Sequence, residues 1–105
     1  MTIAIVQGVF AVSPEDRERF LQASLDGMRS ARSEEGCLEY VLAADPLDPG
    51  RVVLSERWES MEHLQRHIQG LGERQRQAGA EAEPRPAPLS REITVYEVAG
   101  TRSLG

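Results

Sequence analysis

Six consecutive residues near the middle of the chain, Asp45-Pro46-Leu47-Asp48-Pro49-Gly50, constrain its fold more than any other segment. The two prolines fix φ and remove backbone donors. The two aspartates favour side-chain-closed turns, and the glycine accepts backbone angles that other residues avoid. The segment is therefore a loop. The runs on either side, Cys37–Ala44 and Arg51–Trp58, are apolar, partly β-branched and too short for typical helices. Two short strands separated by six residues make an antiparallel hairpin.

The rest of the chain is read outward from this hairpin. Residues 3–12 have the Ile, Val and Phe content of a buried strand, with Gly8 marking a bulge or a close approach. Ser13-Pro14-Glu15-Asp16 then starts a helix: Ser13 caps, Pro14 suits the first helical position, and the acids suit the positive end of the dipole. Phe20, Leu21, Leu25, Met28 and Ala31 recur at helical spacing, and Gly36 ends the region. Beyond the hairpin, Ser60 caps a second helix with Met61, Leu64 and Ile68 on one stripe. Gly70 and Gly72 are expected to interrupt it. A short helix over 74–82, a Pro-rich loop to 88, a fourth strand over 91–99 and a frayed tail over 99–105 complete the chain.

The order β-α-β-β-α-β predicts one α+β domain of the ferredoxin-like type. It has a four-stranded antiparallel sheet with both helices on one face. The other face would be apolar and wet. A second copy packed against it, sheet to sheet, gives a homodimer in the form of a dimeric α+β barrel.

Composition removes whole classes of chemistry. All twelve basic residues are arginine, and there is no lysine and no asparagine. Schiff-base chemistry and a P-loop lysine are impossible. The net charge of −5, with arginines interleaved among acids, argues against nucleic acid. Cys37 is alone, so there is no internal disulfide framework. The opening residues lack a basic region followed by a long apolar run, and nothing resembles a membrane span. A cytoplasmic location is the default expectation. Gly70-Leu71-Gly72 follows a helix and lacks the third glycine of a dinucleotide fingerprint.

Three patterns occur in order along this framework. Glu35-Gly36-Cys37-Leu38-Glu39-Tyr40 opens the second strand, Glu56-Arg57-Trp58-Glu59-Ser60 closes the third, and Leu64-Gln65-Arg66-His67 lies on the second helix. With the turn Asp48-Pro49-Gly50 they resemble the antibiotic biosynthesis monooxygenase family, which includes small quinol monooxygenases. The resemblance covers residues 3–98. It implies a dimeric barrel without metal or flavin that oxidises phenols, hydroquinones or anthrone-like polyketides with molecular oxygen. Related barrels degrade haem or cyclise polyketides, so the fold carries over more firmly than the substrate. The haem-degrading set of Asn, Trp and His is missing. Gln7 stands in the comparable first-strand region, His67 where the Trp belongs, and Arg74-Gln75-Arg76-Gln77 where the His belongs.

Within that resemblance, His67 is the candidate base for a substrate proton. It equally suits packing of the helix on the sheet, bonded to a carboxylate such as Glu56. Trp58, Tyr40, Phe20 and Leu64 are expected to wall a cavity for a planar aromatic substrate, with His63 nearby. Trp58 also suits the role of wedge between sheet and helix, and Tyr40 that of packing. Glu59, His63 and His67 recur every four residues, a spacing that can hold a divalent metal or form an exposed polar row. Cys37 is a thiolate candidate only if a histidine approaches it; otherwise it is a small apolar residue. Arg57 should face away from Trp58 and pair with Glu39. Residues 70–89 are a candidate lid. Other readings are a polyketide cyclase using the same histidine, and a dimeric ligand-binding module without catalysis.

Overall fold

A computed structural model describes the backbone of residues 2–78 and 85–105, and the side chains of residues 2–73 and 85–105. Strand β1 (Ala4–Ala11) is followed by a short 3-10 turn (Pro14–Asp16) and helix α1 (Arg17–Arg32). Strands β2 (Cys37–Ala44) and β3 (Arg51–Trp58) form the hairpin. Helix α2 (Met61–Ala78) and strand β4 (Ser90–Glu97) complete the fold. The four strands form one antiparallel sheet in the order β2-β3-β1-β4. This is the expected ferredoxin-like α+β arrangement.

The central loop is held as its residues dictate. Asp45 Oδ1 accepts the backbone N–H of Leu47, and Asp48 Oδ1 accepts that of Gly50. Arg17, at the start of α1, donates to the carbonyls of Asp45 and Asp48 at 3.0 and 2.8 Å, tying the loop to the helix layer. Arg51 closes the loop with an ion pair to Asp45 at 2.8 Å.

Alternation along β1 and β3 sorts the side chains between two faces. Ala4, Val6, Phe10, Val52, Leu54 and Trp58 are buried on the helix side, where they meet Phe20 and Met28 of α1 and Leu64 of α2. Ile5, Gln7, Val9, Arg51, Val53, Ser55 and Arg57 face the other way and stay partly or fully exposed. The helices do not cover the whole sheet. Ile93 and Val95 of β4 share the helix side with Val6 by register, yet remain 42% and 44% exposed.

Several local expectations are corrected. Ser13 makes no side-chain cap, and the chain enters α1 through the 3-10 turn that Pro14 favours. Ser60 does cap α2: its Oγ accepts the backbone N–H of His63 at 3.2 Å. Gly70 and Gly72 do not break α2, which runs unbroken to Ala78. The remainder of the short helix expected over 74–82 lies outside the described residues, as do residues 79–84 of the candidate lid. Gly8 is not a bulge. The β1 register is continuous, and an added Cβ would meet Ile93 at 3.0 Å and Leu54 at 3.4 Å, so the glycine permits close approach. The irregularity lies at Cys37/Glu39, which leaves Leu38 out of register and 43% exposed. The fourth strand begins and ends slightly earlier than the sequence suggests. Among the described residues, no helix is long and apolar enough to cross a membrane.

Candidate functional site

Glu56 and Trp58 are two residues apart on β3, so both side chains point to the helices. Glu56 is buried with Trp58, and the indole N–H donates to its Oε1 at 2.9 Å. Opposing influences meet at this carboxylate. Loss of water pushes its pKa up. The Trp58 hydrogen bond and the neighbouring His67 pull it down, while Glu34 adds to the rise.

His67 comes to the same place from α2, one turn after the buried Leu64. Its ring lies 4.7 Å from the indole of Trp58, centroid to centroid, at a tilt of 30°. The ring of Tyr40 meets it edge-on at 5.4 Å. The register pairs Tyr40 with Glu56, which places the tyrosine on the helix side of β2. Three of the predicted residues, Trp58, Tyr40 and His67, are thus brought together.

Nδ1 of His67 lies 2.6 Å from Oε2 of Glu34. Glu34 belongs to the turn between α1 and β2. Its own N–H bonds the carbonyl of Ala31, and its carbonyl accepts the N–H of Cys37. The turn closes through Gly36, whose φ of +84° favours glycine. Nε2 of His67 is buried and, among the described residues, is the one such side-chain nitrogen or oxygen without a hydrogen-bond partner.

His63 goes elsewhere. A Cβ on Gly36 would come within 2.2 Å of its ring, so the imidazole lies flush against the glycine. Ser60 Oγ is 2.7 Å from its Nδ1. The N–H of Glu59 donates to the Gly36 carbonyl at 2.8 Å. The row Glu59, His63, His67 therefore stitches α2 to the α1–β2 turn. Among the described residues, no group of three His, Cys, Asp or Glu could hold a metal ion.

Phe20 and Leu64 are core residues. Phe20 packs on Phe10 at 5.4 Å, beneath the guanidinium of Arg85, which lies 4.5 Å from the Phe20 centroid and 5.7 Å from that of Phe10. Nη1 of Arg85 approaches Ser24 Oγ at 3.5 Å. That hydroxyl already donates to the Phe20 carbonyl at 2.7 Å. Desolvation pushes the Arg85 pKa down, and the Tyr40 hydroxyl opposes the shift.

A cavity of about 360 Å³ opens beside β2, lined by Arg32, Cys37, Leu38, Glu39, Tyr40 and Val41. Tyr40 belongs to both this cavity and the cluster around His67. Burial pushes the Cys37 thiol up, and Glu34 and Glu56 add to the shift, which keeps it protonated. On the open face Ser55 Oγ donates to Glu39 at 2.8 Å, and Arg57 reaches the same carboxylate at 3.6 Å, as alternation suggested.

Sequence reading missed Glu34 and Arg85. Glu34 directly precedes the Glu35-Gly36-Cys37 pattern and is 33 residues from His67, with no periodicity linking them. Arg85 lies in the Pro-rich connector, where neither strand nor helix spacing assigns it a direction.

The family model described as "Antibiotic biosynthesis monooxygenase" matches residues 3–78. A solved structure of a Deinococcus radiodurans protein, named as a candidate antibiotic biosynthesis monooxygenase, superposes with a TM-score of 0.76 at 21% identity. The match covers 97% of this chain and 98% of that one. Rv0793 of Mycobacterium tuberculosis is 30% identical with a TM-score of 0.67, covering 96% of this chain and 99% of that one. Among curated proteins, the uncharacterized protein sll1783 of Synechocystis is 27% identical over 100 residues. These are 95% of this chain but 66% of that relative's length.

Proposed function

The chain belongs to the antibiotic biosynthesis monooxygenase family, and from that premise we propose that it oxidises a planar phenolic, quinol or anthrone-like substrate with molecular oxygen. The observation that carries this reading is the buried Nε2 of His67, without a hydrogen-bond partner among the described residues, on a ring stacked on Trp58 and flanked by Tyr40. An imidazole nitrogen with a free lone pair in an aromatic setting is suited to take the proton of a phenol or an activated methylene.

Removal of that proton leaves an electron-rich anion that reduces oxygen directly, so the reaction requires no flavin or metal. For an anthrone-type methylene the balance is simple. One oxygen atom becomes the product carbonyl, and the other leaves as water with the two methylene hydrogens. The protein's part is to position the anion and keep water away from it. Trp58 backs the His67 ring from the core, and Tyr40 offers a hydroxyl. Leu64 and Phe20 hold this cluster in place from the core, and His63 fixes the helix that carries His67. Arg85 supplies a positive charge to the same helix side of the sheet. Tyr40 adjoins both the 360 Å³ cavity and His67, and the route by which we propose that a ligand reaches the imidazole runs past its ring.

Oxygen uptake by the purified protein with simple hydroquinones and anthrones tests the reading. Turnover is expected for the wild type, and a loss of about 10²–10⁴-fold for His67→Ala. No uptake above the uncatalysed rate in either protein sinks it. Turnover that persists without oxygen points instead to a cyclase using the same base.

The open face of the sheet is the proposed surface for a second copy. Ile5, Val9, Val41 and Val53 are only partly covered there and are interleaved with polar groups. This is the pattern of a surface completed by a symmetric partner.

A further inference from the structure

We propose that Glu34 is a positioning residue that fixes which nitrogen of His67 carries the proton, and so makes Nε2 the base. The proposal rests on the reading of His67 as a base and names what arms it. A carboxylate has no proton to give, so at 2.6 Å from Oε2 the Nδ1 of His67 is the donor. In the neutral imidazole this places the lone pair on Nε2, the nitrogen left without a partner among the described residues. Free imidazole side chains in water favour the opposite tautomer, with the hydrogen on Nε2 and nothing there to accept a proton.

The arrangement is built rather than incidental. Glu34 is held at both ends by the backbone of its own turn, and Gly36 lies under His63 one helical turn from His67. The two histidines therefore grip one turn: His63 sets its distance from α2, and His67 receives its carboxylate. Once His67 has taken a proton, Glu34 also stabilises the imidazolium. Glu56 accepts the Trp58 N–H through Oε1, and among the described residues no hydrogen bond links it to His67. Among the described residues, the charged and titratable groups around the pair include Glu56 of β3, Tyr40 and Cys37 of β2, Arg32 at the end of α1 and His63 of α2.

Two variants separate geometry from charge. Glu34→Gln keeps an oxygen that can accept Nδ1–H but removes the negative charge. Glu34→Ala removes both. Nitrogen-15 NMR of the histidine rings reads the tautomer without any substrate. Oxygen uptake reads the consequence. The wild type and Glu34→Gln should show His67 with its hydrogen on Nδ1, and Glu34→Ala should shift it towards Nε2. The kcat of Glu34→Ala should fall by about tenfold or more with little change in KM. The kcat of Glu34→Gln should fall less than that of Glu34→Ala, because the amide oxygen still accepts Nδ1–H although the imidazolium formed on proton transfer has lost its counter-charge.

A wild-type His67 found with its hydrogen on Nε2 overturns the proposal, as does a Glu34→Ala variant with the wild-type tautomer. So does a pair of variants with unchanged kcat. If no probe is turned over even by the wild type, the monooxygenase reading fails, while the NMR arm still decides whether Glu34 sets the tautomer. If Glu34→Ala does not fold, the wild-type tautomer and the kcat of Glu34→Gln decide.

Discussion

On β3, Val52, Leu54, Glu56 and Trp58 point towards the helices, while Arg51, Val53, Ser55 and Arg57 point away. The first set is buried throughout, although it contains a carboxylate. The second has similar aliphatic content at Val53 yet stays partly or fully exposed. Polarity alone does not explain the difference. In the buried cluster facing the helices Glu56 is bonded by Trp58 and His67 by Glu34, and among the described residues one buried nitrogen, Nε2 of His67, has no partner. On the open side Ser55 and Arg57 both converge on Glu39, leaving an aliphatic patch between fixed polar points. A polar atom left over inside a core is expensive and suggests chemistry. An apolar patch left over outside suggests a partner.

The sharpest way to break this contrast is to empty the helix side. Trp58→Ala removes the largest fully buried side chain and leaves Glu56 buried without its donor. Truncation of this kind costs about 3–5 kcal/mol, a large share of the stability of a domain this small. Urea unfolding should show a midpoint far below that of the wild type. A loss under about 1 kcal/mol would mean that the indole is not the wedge its burial suggests.

Val53→Asp tests the neighbouring position on the other face. Val53 pairs with Val9 and with Ala43, so a carboxylate there lies in the middle of the aliphatic patch. It would also meet its own symmetry mate across a two-fold interface. Self-association, followed by sedimentation over a range of concentrations, should weaken by about tenfold or more. The folding midpoint at low concentration should move much less than in Trp58→Ala. A wild-type chain that sediments as a monomer throughout removes the proposed partner surface. A variant that unfolds as readily as Trp58→Ala removes the distinction between the faces.

The contrast also shows what was legible in the sequence. Strands of period two around a strong turn reported the sheet and its two faces, and the order of elements reported the fold. The continuity of α2 was not legible. Gly70 and Gly72 each cost about 1 kcal/mol relative to alanine in a helix. Docking of Leu64 and His67 on the sheet side outweighs that local preference, and no local rule contains it. The meeting of Trp58, Tyr40 and His67 was legible, because strand parity and helix spacing each assign a direction. The reading of His67 as bonded to a carboxylate such as Glu56 holds for the carboxylate but not for the example, since the partner is Glu34. Parity puts Glu56 on the right face but does not show that Trp58, two residues along the same strand, takes its carboxylate first. Glu34 belongs to a turn, where spacing carries no direction.

Glu56 provides the smallest and most selective test. Burial raises its pKa in the folded protein above the unfolded value, despite the help of Trp58 and His67. The native state therefore holds this proton more tightly than the unfolded chain does. Stability must fall as pH rises from the unfolded pKa through the folded one, and the cost remains in full at neutral pH. Asp45 works in the opposite sense. The Leu47 N–H and Arg51 lower its pKa, so it contributes stability above its unfolded pKa that is lost as pH falls through the folded one. A single pH–stability curve would mix the two. The difference between wild type and Glu56→Gln cancels Asp45, and any pH-independent cost of seating the amide appears only as an offset. That difference should move steadily in favour of the Glu56→Gln variant as pH rises from acid to 7, where it is largest. Urea titrations of both proteins at a series of pH values measure it. A flat difference would mean that Glu56 is as well solvated as a carboxylate on the open face, and the two sides of the sheet would then no longer differ electrostatically.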